Sequence, residues 1–328
     1  MKKFINDADS LLRDALAGMA SAHADVIKLH PDPCFVRRSV LPPRPKVVLI
    51  SGGGSGHEPL HVGFIGHGML DAACPGQVFT SPTPDQMLAA AAEVDMGQGV
   101  LFIVKNYAGD VMNFEIASEM LEIPNATVLV CDDVAVERST HTTGRRGVAG
   151  TVVVEKMVGA AAEAGADLAQ CKALGDRVNR ATASMGVAFT SCAVPAAGRA
   201  TFEIADDEME IGVGIHGEPG RRREKLQRAD AIVDELLNTI LGDLKPPQGS
   251  EVLLHVNGFG GTPLLELYLL QNRAEAQLTW LGFKPVRFLV GNYTTSLEMA
   301  GASLTLTVLD SELKELWDAP VRTSALRW

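Results

Sequence analysis

Lys46-Val47-Val48-Leu49-Ile50-Ser51, followed at once by Gly52-Gly53-Gly54-Ser55-Gly56-His57, is the stretch on which the fold turns. A short run that is apolar and β-branched on both faces predicts a strand buried on both sides, as in the interior of a parallel sheet. The same grammar recurs downstream. Val100-Leu101-Phe102-Ile103-Val104 runs into a polar loop and a helix expected from about Val111, and Thr127-Val128-Leu129-Val130-Cys131 runs into Asp132-Asp133. Strands alternating with helices predict a doubly wound, mostly parallel α/β sheet with helices on both faces. Ligands of such sheets sit outside the carboxyl ends of the strands, which would bring residues 52–57 near residues 105–110. Upstream, Leu12, Ala15, Leu16 and Met19 stand at helical spacing, and Pro42-Pro43-Arg44-Pro45 separates that helix from the first buried strand.

The texture changes in the second half. A long helical stretch is expected from Gly147 through Lys156 and Cys171 to about Thr182. Short strand-like pieces follow at 185–192, 200–205 and 211–216, broken by Pro195-Ala196-Ala197-Gly198 and Asp206-Asp207-Glu208, and predict a mixed or antiparallel sheet. Residues 221–241 carry Leu226, Ala229, Val233, Leu236, Leu237 and Ile240 on one face of an expected amphipathic helix, and strand units follow at 251–256 and 286–290. A chain of 328 residues exceeds the roughly 250–300 at which one core stops growing. Two domains are therefore expected: 1–184, an N-terminal α/β domain with the glycine-rich loop, and 185–328, a smaller C-terminal α/β domain carrying His216.

With 46% hydrophobic and 21% charged residues, disordered, collagen-like and coiled-coil classes are excluded. A formal charge of −11 opposes contact with a polyanion, so nucleic acid is not expected as a ligand. The five cysteines form no C-x-x-C pair and read as reduced thiols in a cytoplasm. Asp7, Asp9 and Arg13 interrupt any signal-peptide core, and no run approaches the roughly 20 apolar residues that span a bilayer, so no membrane segment is expected.

Several motifs carry possible chemistry. His57-Glu58-Pro59-Leu60-His61 spells H-E-x-x-H, but a zinc site needs both histidines on one face of an established helix. Pro59 suits the first turn of a helix and glycines precede His57, so His57 is placed before the helix and no metal is expected. Residues 52–57 then read as a turn whose backbone N–H groups could approach a small polar ligand, with the positive end of a helix at Pro59 behind them, or as a tight turn with no ligand. Neither a dinucleotide fingerprint nor a P-loop is present. Asp110 is either the N-cap of the helix after Lys105 or a catalytic base, and these roles pull its basicity in opposite directions. Lys105 alone would be a charge at a strand end. His216 lies between Gly214 and Gly217 at the end of an expected strand; it is either a hydrogen-bonded core residue or, mostly neutral at pH 7, a nucleophile. His23, His30, His61, His67, His141 and His255 have no comparable setting. Residues 256–264 weakly echo residues 50–60 and read as architecture.

Taken together, Gly-Gly-Gly-Ser-Gly-His-Glu-Pro at 52–59, Phe79-Thr80-Ser81-Pro82-Thr83-Pro84-Asp85, Lys-Asn-Tyr-Ala-Gly-Asp at 105–110, Gly144-Arg145-Arg146-Gly147 and Gly-Ile-His-Gly-Glu-Pro-Gly at 214–220 resemble the substrate-binding K subunits of dihydroxyacetone kinases, essentially end to end. The resemblance implies a homodimer whose subunits hold a short-chain hydroxyketone covalently. His216 would add to the ketone carbon as a hemiaminal, His57 would serve as acid and base, and Asp110 would accept the proton of the terminal hydroxyl during phosphoryl transfer. Gly54, Ser55, Gly56 and Lys105 would fix the substrate hydroxyls. The family binds ADP or ATP with Mg on a separate L subunit or domain through a G-D-x-D-x-G motif that does not occur here, so no cofactor is expected in this chain. The donor would be ATP or a phosphotransferase relay. Relatives that prefer a four-carbon ketose such as erythrulose, and K-like proteins that bind the ketone to signal to a transcriptional regulator, are the alternatives. The stretch between Gly220 and Glu251 is shorter than in some members.

Overall fold

The run that opens the reading forms the middle of a six-stranded sheet. In the computed structural model, which describes residues 2–136, 144–218 and 220–328, this sheet comprises β1 (Ile27–Pro31), β2 (Cys34–Arg38), β3 (Val48–Ser55), β4 (Ala72–Val78), β5 (Val100–Lys105) and β6 (Asn125–Val130), in the order β1-β2-β4-β3-β5-β6. His141 and Pro219 of the motifs above lie outside the described residues. Strands β4, β3, β5 and β6 are parallel, and the β1–β2 hairpin is antiparallel at one edge. Alternation divides the side chains between two cores. Val48, Ile50, Val100, Phe102 and Val104 pack with α2 (Pro84–Val94) and α3 (Ala108–Met120). Leu49, Leu101, Ile103, Val128 and Val130 pack on the other face with α4 (Gly150–Glu163) and α5 (Leu168–Arg180), joined by Leu16 of α1 (Leu11–Ala22). The doubly wound sheet with helices on both faces is thus present.

A second six-stranded sheet contains β7 (Thr182–Ala188), β8 (Glu208–Ile211), β9 (Arg222–Lys225), β10 (Glu251–Gly258), β11 (Lys284–Gly291) and β12 (Gly301–Leu309), in the order β9-β8-β7-β12-β10-β11. It is mixed: only β10 and β11 run parallel. Helices α6 (Ala229–Leu244) and α7 (Leu264–Trp280) cover one face through Val233, Leu236, Leu237, Ile240, Leu267 and Leu278. Ser184, where the division was expected, lies inside β7. The chain then returns: Leu313 and Trp317 of α8 (Ser311–Asp318), with Val321 and Leu326, enter the first core, and Arg322 pairs with His67.

Four local expectations are corrected. The glycines 52–54 belong to β3 and do not form a turn, because the strand runs so close to its neighbours that a Cβ on Gly52 would meet the Cys74 carbonyl oxygen at 2.6 Å and one on Gly54 the Thr80 nitrogen at 2.6 Å. No helix begins at Pro59; a single 3-10 turn spans Val62–Phe64. The helical stretch after Gly147 is two helices, parted at Gly165, whose φ of +94° an L side chain rarely adopts. Arg222-Arg223-Glu224-Lys225 is the charged edge strand β9 rather than the start of a helix, paired to β8 with Arg223 Nε donating to Glu210 at 2.9 Å. Among the described residues no helix is long and apolar enough to cross a membrane.

Candidate active site

The end of β3, the first turn of α3 and the irregular segment after β8 meet at a cavity of about 480 Å³ lined by Gly54, Phe79, Tyr107, Asp110, Arg146, His216 and Glu218 among others. At one wall two imidazoles touch, His57 Nε2 and His216 Nε2 lying 3.1 Å apart with the rings nearly perpendicular. His57 Nδ1 is 2.8 Å from the Thr295 carbonyl, which can only accept, so the ring proton is on Nδ1 and Nε2 carries the lone pair. His216 Nε2–H therefore donates to it. Burial, His216 and Lys105 hold His57 well below the usual histidine range. Burial, followed by Lys105 and Arg146, pushes His216 down to about 3. Both rings are neutral at physiological pH. Phe79 stacks on His57 and Tyr107 packs edge-on against His216 at 4.3 Å between centroids, while His216 Nδ1 is buried without a partner.

The second wall is a buried ion pair. Asp110 is the third residue of α3, whose N-cap is Tyr107, so the capping role is excluded and the carboxylate is free for other work. Its Oδ2 lies 3.8 Å from Lys105 Nζ, both side chains being almost fully buried, and Oδ1 makes no hydrogen bond. Burial raises Asp110 above the ordinary carboxylate value, with Lys105 and the Ser81 hydroxyl opposing. Lys105 is not the surface charge that a strand-end lysine suggests. It turns inward beneath Gly53, where any Cβ would collide with its Nζ, and beside Gly147, whose Cβ would meet Lys105 Cα at 2.9 Å. Burial drives its pKa down, and Asp110 and Glu155 oppose that shift.

His216 sits five residues beyond the end of β8, outside any strand, so its position depends on side chains. Glu218 Oε2 accepts the His216 backbone N–H at 2.8 Å, and Glu218 Oε1 accepts from Arg146 Nη1 at 3.2 Å. Arg146 also donates to Asp133 Oδ2 and to the Gly212 carbonyl at 2.7 Å, clasping both ends of the segment. Neither Arg146 nor Glu218 was assigned a role from the sequence. Both stand in quoted motifs, but their pairing across 72 residues has no local signature.

Of the expected substrate-binding residues, Gly54, Asp110 and His216 line the cavity and His57 reaches it through His216. The Ser55 hydroxyl donates instead to the Gly76 carbonyl at 2.7 Å, and the Gly56 N–H is taken by Glu58 at 3.0 Å. Lys105 lies one layer behind, against Asp110. The zinc geometry is absent because His57 and His61 enter different networks: His61 faces Ser51, Glu155 and Lys105. The sequence offers His61 no setting comparable to that of His216, since Lys105 and Glu155 stand 44 and 94 residues away.

Two touching imidazoles beside a buried carboxylate, at the carboxyl ends of a parallel sheet, place the chain among α/β proteins with a small polar cavity at the position where such sheets bind their ligands. The family model described as the Dak1 domain matches residues 17–325, and the chain belongs to that family. It is 48% identical to the dihydroxyacetone-binding subunit DhaK of the PEP-dependent dihydroxyacetone kinase of Escherichia coli (strain K12), with 100% of this chain and 99% of the relative covered. Its fold is similar to the crystal structure of the dihydroxyacetone kinase of C. freundii, at TM-score 0.89 and 35% identity, covering 98% of this chain and 60% of that one. It is equally similar to a dihydroxyacetone kinase operon co-activator, at TM-score 0.90 and 32% identity over 98% of both chains.

Proposed function

We propose that the chain is the hydroxyketone-binding subunit of a dihydroxyacetone kinase, a transferase component that captures the ketone on His216 and presents its terminal hydroxyl for phosphorylation. The observation that carries this reading is the 3.1 Å contact between two neutral imidazoles at a cavity shared with Asp110. In the capture step His216 Nε2 gives its proton to His57 Nε2 and bonds to the ketone carbon; the carbonyl π pair takes the proton from His57, leaving a neutral hemiaminal. Glycerol has the same hydroxyls and no electrophilic carbon, so bond formation rejects it where hydrogen bonds alone discriminate poorly. Asp110 then accepts the hydroxyl proton as the oxygen attacks the phosphoryl group. Gly54 lines the cavity beside the hydroxyls, and Lys105 supports the hydroxyl end through Asp110.

The nucleotide, ADP or ATP with Mg, is held by a partner L subunit in this reading. The chain works as a homodimer in the cytoplasm, and its two sheets with their helices are its two domains. The test is a crystal soaked with dihydroxyacetone beside His216→Ala: continuous density from the wild-type imidazole to the ligand, lost in the variant, is expected. An occupied site without that bond would remove covalent capture. The likeness to the co-activator favours a second reading, ketone sensing without phosphotransfer, which requires that the chain with a cognate L subunit bind the ketone and never yield its phosphate. A four-carbon ketose such as erythrulose is distinguished by turnover with each sugar.

A further inference from the structure

Behind Asp110 lies a row of buried polar groups of which capture and hydroxyl activation use Lys105 alone. Lys105 Nζ donates to His61 Nε2 at 2.8 Å while standing 3.8 Å from Asp110. An ammonium has no acceptor, so His61 Nε2 bears the lone pair and its ring proton is on Nδ1. That Nδ1–H meets Glu155 Oε1 at 2.6 Å and Ser51 Oγ at 2.9 Å, and the Ser51 hydrogen is committed to the Ile103 carbonyl at 2.7 Å. Glu155 comes from α4 and is wholly buried, with its other oxygen unpartnered. A buried carboxyl costs stability unless something opposes its desolvation, and here the row leads to a single cation.

We propose that Glu155 and His61 are positioning residues for phosphoryl transfer, which hold Lys105 as an ammonium against Asp110 and so keep a positive charge beneath the reacting hydroxyl. The inference rests on the kinase reading above. A phosphoryl donor brings several negative charges to the mouth of the cavity, and a fixed cation behind Asp110 offsets them without reorganisation. The titratable groups facing Lys105 are Asp110 from α3, His61 from the segment after β3 and Glu155 from α4, with His57 and His216 on the cavity side; Ser51 and Ser81 add hydroxyls. The three histidines are all held below their usual range, so none competes for charge. Burial raises Glu155 to about 8. Glu155 therefore becomes an anion as the pH climbs, the condition under which Lys105, already lowered by burial, most needs a negative neighbour to keep its proton.

The test compares wild type, Glu155→Gln and His61→Leu, each assayed with the nucleotide-binding subunit across the pH range and each checked for ketone capture on His216. Glu155→Gln and His61→Leu are expected to lower the ratio of turnover at pH 9 to turnover at pH 7 by roughly tenfold, with capture retained and Glu155→Asp restoring part of the ratio. A purely structural role would lower turnover alike at both pH values, and that result overturns the proposal. Nitrogen-15 spectra of histidine-labelled wild type decide the matter even if a variant fails to fold: His61 should carry its proton on Nδ1 throughout, and a proton on Nε2 would break the row. Wild type that captures ketone but forms no phosphate would instead defeat the kinase reading, while the spectra would still read the row.

Discussion

Asp110 and Lys105 show how much a single residue's meaning depends on what lies over it. In sequence Asp110 was balanced between cap and base, and Lys105 looked like a charge at a strand end. Tyr107, and not Asp110, is the N-cap, and Lys105 folds inward because Gly53 and Gly147 clear the volume it occupies. In the proposed reaction Asp110 acts as the anion, and burial raises its pKa, so turnover should fall on acidification through a pH above the ordinary carboxylate range. Asp110→Asn is expected to lower turnover by roughly 10²–10⁴-fold, the usual contribution of a general base, with hemiaminal formation on His216 intact. Rapid-quench assays of ketone phosphate, alongside mass or crystallographic detection of the adduct, separate the two; turnover near the wild-type rate would remove the base. His57, Asp110 and His216 were legible as candidates because each stands in a glycine-bounded motif. His61 and Glu155 were not, since their significance is a contact across 94 residues.

At the scale of elements, the strand 46–51 and its helical neighbours were readable because buried parallel strands are uniformly apolar. The continuation of β3 through three glycines was not, because glycine signals a turn when read alone and a close approach only when Cys74 and Thr80 are known to lie alongside. The segment carrying His216 has no ladder of its own; Arg146 replaces it. Asp133 is pushed up to about 6 by burial even with Arg146 opposing, so removing the guanidinium leaves a buried carboxylate uncompensated. Arg146→Met should cost about 3–5 kcal/mol in urea unfolding. Adding Asp133→Asn should recover much of that loss without restoring ketone capture, because Glu218 would still lack its anchor. Full recovery of capture in the double variant would show that the His216 segment holds itself.

At the scale of the molecule, the buried ionisable groups make stability depend on pH with a calculable sign. His216 and His255 fall to about 3, so between there and 6.5 the unfolded chain binds more protons and stability rises with pH. Asp133, raised to about 6, works against them below that value. Glu155, raised from 4.5 to about 8, gives the folded state the extra proton, so its contribution declines as pH rises across that window. Between pH 6.5 and 8 the histidine gain has ended while the Glu155 loss continues. The melting temperature should therefore peak near neutrality and decline towards pH 8, and Glu155→Gln should flatten that decline; an unchanged slope in the variant would place the titration elsewhere.

The hydrogen bond from His57 to the Thr295 carbonyl joins residues 238 apart. During synthesis His57 emerges early, but the group that orients its ring is added 238 residues later, and His216 lies on the irregular segment after β8. On the capture reading proposed above, a nascent chain that has not reached Thr295 has no competent nucleophile. Reactive carbonyl metabolites would then meet an armed imidazole only once Thr295 has joined the fold.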